Sequence, residues 1–351
     1  MYVRRLILQG VKNLWCTIPE DGGPLPPATQ HKFLLQGGNG SGKTTILDTI
    51  RILWELFGDW IDCGGEPDRL HKRIIERTQN SAVVFAINAD WAAIEFGDFP
   101  SSGEYFWICA GSQFGYQNFR TMHSGNCAVI YVTFQTGNID FETNLKFDWM
   151  RFRHESLVNR TPQPNMLAFR PDNRMLKDPT RDGPRLIDTT QLNWSAVYTP
   201  EHDLSSVLLT VRALRPEAFD QTLELVNLAL QHRDKRLIGF GADGRLKVES
   251  ETSRRGTIQH PVELLSSGER QVLLLVAYTA GFLREGGILL IDEPDLHLHP
   301  SLIPQLMQTL DLIVRQRKAQ MIVASHSERV WDFFSRDEEK IELTPWREAA
   351  V

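Results

Sequence analysis

The run Gly37-Gly38-Asn39-Gly40-Ser41-Gly42-Lys43-Thr44 brings together residue types that suit one kind of ligand. Glycines let successive backbone N–H groups turn towards a common point that side chains would obstruct. Lys43 adds a cation, and the hydroxyl of Thr44 can ligate a hard divalent ion. The pattern fits a nucleoside triphosphate with Mg2+, with Lys43 at the β- and γ-phosphates and Thr44 at the metal. Thr45 continues the polar run into the next element.

A second group comes after the apolar run Ile288 to Ile291. Asp292 suits a metal, directly or through water, and Glu293 suits orienting and activating an attacking water. His326 comes after another apolar run, Met321 to Ala324, so it is expected at the same edge, with a γ-phosphate or a water as its partner. His297 and His299 could suggest a metal, but two histidines without further ligands fit packing or contact roles better.

A third group is Ser266-Ser267-Gly268-Glu269. Ser266 and Glu269 have the spacing of a capping box, in which each side chain satisfies the other's free backbone donor. Ser267 and Gly268 are then expected to face outward at the positive end of a helix, ready for an anion.

These groups need particular elements to position them. "KFLLQ" reads as a buried strand ahead of the glycine loop, and the spacing of Ile46, Ile50, Leu53 and Phe57 predicts a helix after it with one face buried. "ILLI" and "MIVA" read as central parallel strands, apolar on both faces. "YVRRLILQGVKNLWCTI" reads as two strands broken at Gly10. "AVVFAINADWAAIEF", "EYFWICA", "CAVIYVTFQ" and "IDFETNLKF" read as an antiparallel sheet. The segment from Arg151 to Arg185 is basic and broken by prolines, a connector with a short strand near Asn165 to Phe169. Two helices come next, with Pro216 near the start of the second. A hairpin then turns at Asp243-Gly244, and a helix runs from about Glu269 to Leu283. No internal repeat or sustained heptad is present.

The composition is that of an ordinary globular chain. Of 351 residues, 42% are hydrophobic and 23% charged, and the net charge of −6 gives no global footprint for nucleic acid. Any DNA or RNA contact would need a local basic patch. Cys16, Cys63, Cys109 and Cys127 form no metal or redox spacing, which is expected of a reducing compartment. No apolar run is long enough for a membrane span, and the N-terminus does not read as a signal peptide, so a cytoplasmic location and no membrane partner are expected.

Taken together, "GGNGSGKT", "LLSSGERQ", "ILLIDEP", "DLHLHP" and "SHS" resemble, in order, the motif set of ABC-type ATPases, and the form "LSSGERQ" with "IDEPDLHLHP" resembles their SMC/RecF/OLD-like branch. The resemblance implies an α/β P-loop NTPase fold of ABC-ATPase type, with a mixed central sheet, an antiparallel β-subdomain and a helical lobe. It implies one ATPase domain over 1–351. Lobe I begins in 1–150, the connector and helical lobe with the signature motif occupy 151–285, and lobe I is completed by 286–351.

The family pattern also implies ATP and Mg2+ as ligands, Gly37 to Thr45 around the phosphates, and Ser266 to Glu269 acting on nucleotide held by a partner. ATP would thus join a homodimer or higher even oligomer, and hydrolysis would release it. Branch relatives maintain or sense DNA, many in anti-phage defence beside a nuclease, so a separate effector protein is the expected partner. The interval from Lys43 to Gly268 is too short for long coiled-coil arms, and the stretch after His326 is too short for a nuclease domain.

Two family features lack clear counterparts. Gln113, Gln117 and the stretch Phe169 to Arg174 are candidates for the glutamine loop, while Lys12 and Asn13 are placed to flank the adenine. Two other functions compete with an ATP-gated switch: a structural subunit that holds ATP with low turnover, and the ATPase subunit of a transporter.

Overall fold

The computed structural model describes residues 1–12, 14–63, 69, 91–97, 105–122, 128–135, 138–143, 163–171, 184–187, 194–199, 202–231, 233–252 and 256–343. At its centre is a six-stranded parallel sheet in the order β15-β3-β14-β13-β8-β9. Its strands are β3 (Lys32–Gln36), β8 (Met166–Phe169), β9 (Ser195–Val197), β13 (Ile288–Asp292), β14 (Gln320–Ser325) and β15 (Lys340–Glu342). Every residue of β13 is buried, and successive side chains enter opposite cores, as two-sided packing requires. Ile288 and Leu290 face one core, Leu289 and Ile291 the other.

The expected fold class holds, and this sheet is parallel throughout. Strand directions mix instead in the N-terminal sheet, ordered β2-β1-β4-β5-β6-β7. It comprises β1 (Tyr2–Val11), β2 (Leu14–Ile18), β4 (Trp91–Gly97), β5 (Tyr105–Gly111), β6 (Ala128–Gln135) and β7 (Asn138–Thr143). The β5–β6 pair is parallel, not antiparallel as the strand spacing suggested, because helix α2 (Gln113–Met122) carries the chain back between them. The strand β1 runs on through Gly10 to Val11, so the break comes after it, where Lys12 takes φ 48°.

Helix α1 (Lys43–Asp62) lies between these two sheets. Ile46, Ile50, Leu53 and Phe57 are buried as their spacing predicts, but Leu47, Ile52, Trp54, Leu56 and Ile61 are buried too. One apolar stripe was expected; a helix clasped on two sides has to bury most of its circumference. Trp54 lies edge-on to Trp194 and donates to the Trp194 carbonyl at 2.9 Å. Gly58 sits against the Trp194 indole, and a Cβ there would overlap the ring.

The other face of the central sheet supports α3 (Leu204–Leu214), α4 (Pro216–Leu228), α5 (Ser267–Phe282) and α6 (Ile303–Gln316). A three-stranded antiparallel sheet, β10 (Lys235–Phe240), β11 (Leu246–Thr252) and β12 (Gly256–Pro261), precedes α5. At the start of β3, Asp311 of α6 meets His31 at 2.8 Å, Arg315 at 2.8 Å and Lys32 at 3.6 Å, which pins α6 to the strand that leads into the glycine loop. A short helix, α7 (Glu328–Trp331), comes after β14. No helix among the described residues is long and apolar enough to cross a membrane.

Candidate functional site

The glycine loop runs from the C-terminal end of β3 to the first turn of α1, the edge of a parallel sheet where ligands bind. Gly40 and Gly42 take φ 78° and 92°, a region unfavourable to residues with a Cβ. Around Gly38 and Gly40 an added Cβ would meet nothing within 4 Å, so the loop presents bare backbone to open space. Gly42, by contrast, rests on the Leu14 side chain of β2, where a Cβ would lie 2.8 Å from a methyl carbon. No side chain caps α1, which leaves its first N–H groups and positive dipole end available to an anion.

Lys43 is buried and donates to the carbonyls of Gly37 at 2.8 Å and Gly38 at 3.0 Å. The Thr44 hydroxyl donates to Asp292 Oδ2 at 2.6 Å, so the two oxygen ligands expected for Mg2+ are adjacent. A hydroxyl and a buried carboxylate are hard donors and fit that ion. Among the described residues no group of three His, Cys, Asp or Glu forms a metal site, so phosphate and water oxygens would complete any coordination.

Glu293 takes φ 50°, an uncommon conformation for a residue with a Cβ. Its carboxylate lies 2.8 Å from His326 Nδ1 and 3.9 Å from the Lys43 ammonium. It also accepts the His326 backbone N–H at 3.4 Å. Glu293, His326, Lys43, Thr44 and Asp292 thus converge from β13, β14 and α1, as their positions after apolar runs suggested. Behind them the Ser325 hydroxyl donates to Asp295 at 3.1 Å and accepts the Ser327 N–H at 3.0 Å.

The capping box forms as its spacing predicts. Ser266 Oγ accepts the Glu269 N–H at 3.3 Å, and Glu269 Oε2 accepts the Ser266 N–H at 3.0 Å and its hydroxyl at 2.8 Å. Ser267 is exposed. Gly268 is not: it is buried against Leu302 and Leu298, so only Ser267 meets the expectation of an outward-facing pair. Glu269 is 5% exposed and also accepts from Lys235 at 2.7 Å. Burial alone would raise its pKa, but the hydrogen bonds from Lys235 and Ser266 prevail and hold it below the ordinary value. Residues 34 apart in sequence gave no signal for that ion pair.

His299 Nδ1 accepts the Ser301 N–H at 3.2 Å and so caps the turn before α6. His297 is exposed with φ 63°. Lys12 is exposed in the β1–β2 turn, while Asn13 lies outside the described residues. Of the glutamine-loop candidates, Gln117 is exposed on α2, which packs on β5 and β6, and the side chain of Gln113 and residues 172–174 lie outside the described residues. Arg170 is better placed. The register Ile291↔Phe169 sets it level with Asp292, and its guanidinium lies 3.5 Å from Asp48, one helical turn beyond Thr44.

A family profile described as "AAA domain, putative AbiEii toxin, Type IV TA system" matches residues 128–332. A relative from Escherichia coli, "Retron Ec83 probable ATPase", is 26% identical over 376 aligned positions, 86% of this chain and 65% of that protein. "Protein ea59" of Escherichia phage lambda is 25% identical over 123 positions, 34% of this chain and 23% of that protein. The chain thus spans less than two thirds of the length of either relative. Among solved structures, the SMC head bound to the C-winged helix domain of ScpA is similar with a TM-score of 0.48 and 14% identity, over 95% of this chain and 92% of that one. The family match and the ATPase relative bear out the expected resemblance to an ATPase family.

Proposed function

The chain belongs to the AAA domain family whose profile covers residues 128–332, and on that basis we propose that it is an ATP-gated switch. Two copies close around ATP and Mg2+, hydrolysis parts them, and the closed form controls a separate effector such as a nuclease in anti-phage defence or DNA repair. The name of the retron relative supports the defence setting.

In this reading the loop Gly37 to Thr45 holds the phosphates, with Lys43 at the β/γ end. Thr44 and Asp292 hold Mg2+, which would supply charge neutralisation at the phosphates. Glu293 orients the attacking water, and His326 fixes the Glu293 carboxylate while facing the γ-phosphate side. Ser267, with the N-terminus of α5, meets the γ-phosphate held by the other copy. Because those contacts fall on the group that leaves, hydrolysis undoes the closure.

One observation carries the proposal. The start of α5 carries a capping box made by its own residues, the Ser267 hydroxyl remains exposed, and among the described residues no hydrogen bond or ion pair joins residues 266–269 to 37–44. A helix start with an exposed hydroxyl and no bond to its own phosphate loop suits a ligand presented by another molecule.

A Glu293→Gln variant tests this, since it should bind ATP but turn it over about 100-fold or more slowly. Light scattering after size exclusion should show a dimer with ATP and Mg2+ and a monomer with ADP. A particle that stays monomeric at high protein concentration with ATP would refute the switch.

A further inference from the structure

We propose that Lys235 is a positioning residue for the composite ATP site, holding the start of α5 by neutralising Glu269 and tying it to the root of the β10–β12 sheet. The inference rests on the reading above, that this helix start acts on nucleotide bound by a second copy.

The glutamate of a capping box ordinarily needs no counter-charge when water surrounds it. Here Glu269 is buried, and a carboxylate removed from water needs compensation from its neighbours. It receives three donors: the Lys235 ammonium on Oε1 at 2.7 Å, and the Ser266 N–H and hydroxyl on Oε2 at 3.0 and 2.8 Å. Lys235 is the charged one. Without it the ionised Glu269 is an unpaired buried charge that is driven out towards water, and its departure breaks the reciprocal bonds at Ser266. Those bonds fix the backbone that presents the exposed Ser267 hydroxyl and the neighbouring N–H groups.

Lys235 is itself firmly mounted. It opens β10 and pairs with Ser250 of β11. Just before it, Arg233 donates to the Ser301 hydroxyl at 2.5 Å. Leu237 and Asn227 exchange two hydrogen bonds, at 2.7 and 3.0 Å, between β10 and α4. Gln305 of α6 donates to the Leu228 carbonyl at 2.7 Å. The loop that ends at Lys235 is thus attached both to the start of α5 and to the segment after β13. It leads into a sheet whose Ile238 and Ile258 are exposed. A displacement of that sheet would reach Ser267 through this ion pair as well as through the short link from β12 into α5.

The test uses the full chain with Glu293→Gln as the background and tracks dimer formation against protein concentration with ATP and Mg2+. Adding Lys235→Met should raise the midpoint concentration about tenfold or more. A fluorescent ATP analogue should still bind the monomer within about twofold, because Lys43 and its loop are untouched. Lys235→Arg should restore dimerisation. So should the pair Lys235→Met with Glu269→Gln, because a neutral amide keeps the capping-box hydrogen bond and needs no counter-charge.

An unchanged midpoint in Lys235→Met would overturn the inference, as would a Lys235→Met, Glu269→Gln pair no better than Lys235→Met alone. If Lys235→Met melts too low to assay, Lys235→Gln takes its place in the same comparisons and the same two outcomes decide. If the Glu293→Gln parent itself fails to dimerise, the switch reading fails first and this inference with it.

Discussion

Gly42→Ala gives a prediction whose size can be worked out from two separate contacts. The residue sits at φ 92°, and an L side chain in that region costs roughly 1–2 kcal/mol. The new methyl would also lie 2.8 and 2.9 Å from the two terminal carbons of Leu14. Overpacking of that kind costs roughly 1–3 kcal/mol. The substitution should therefore destabilise by about 2–5 kcal/mol in all. Only the second part depends on Leu14. In a double-mutant cycle, Leu14→Ala should return about 1–3 kcal/mol in the Gly42→Ala chain, beyond what it does alone. Urea unfolding of the four proteins measures this coupling, and titration with a fluorescent ATP analogue tracks the loop. The pair should regain stability without regaining full affinity, since the strained φ remains at the head of α1. Additivity of the two changes to within about 0.5 kcal/mol would show that Leu14 does not support the loop.

Three further outcomes are expected. Thr44→Val removes a hydroxyl bonded to Asp292, so Mg2+-dependent ATP binding and turnover should fall by about tenfold or more while metal-free nucleotide binding changes little; equal losses with and without Mg2+ would contradict the metal role. Gly58→Ala places a methyl into the Trp194 indole and should destabilise by about 3 kcal/mol, read as a lower urea midpoint with an unchanged slope. Asp311→Asn should cost about 2 kcal/mol at neutral pH. Burial alone would raise the Asp311 pKa, but hydrogen bonds from His31 and Arg315 and the charge of Lys32 hold it far below the ordinary value. A lowered folded pKa contributes stability above the ordinary carboxylate pKa and loses it as pH falls. The gap between the two proteins should thus be constant above pH about 5 and close below pH about 4, and a gap that widens in acid would contradict that account.

The site was more legible in the sequence than the fold around it, for a physical reason. Phosphate and metal chemistry restricts residue type at fixed spacing, so Gly37 to Thr44, Asp292, Glu293 and the Ser266–Glu269 box could be read directly, and each stands at the end of the element expected. Pairing partners leave no such mark. β8 and β9 have four and three residues, too few for periodicity to identify them as strands of the central sheet. Helix α2 contains Gly115 and several aromatic residues, a weak helical signal, so the parallel β5–β6 pair was missed. Gly268 was expected to face outward because local capping rules do not know that Leu302 will pack over it. The Lys235–Glu269 pair was invisible for the same reason.

The central sheet is built from segments scattered along the chain, and its outermost member is small. Residues Lys340–Glu342 cover the flank of β3, and the next residue, Leu343, donates its N–H to Gln36 at 2.7 Å, beside the glycine loop. A shortened version ending before Lys340 would keep the whole glycine loop yet bare unpaired backbone groups on the strand that carries it. Such a margin invites other chains to add on, so cutting there would make the protein stick to itself.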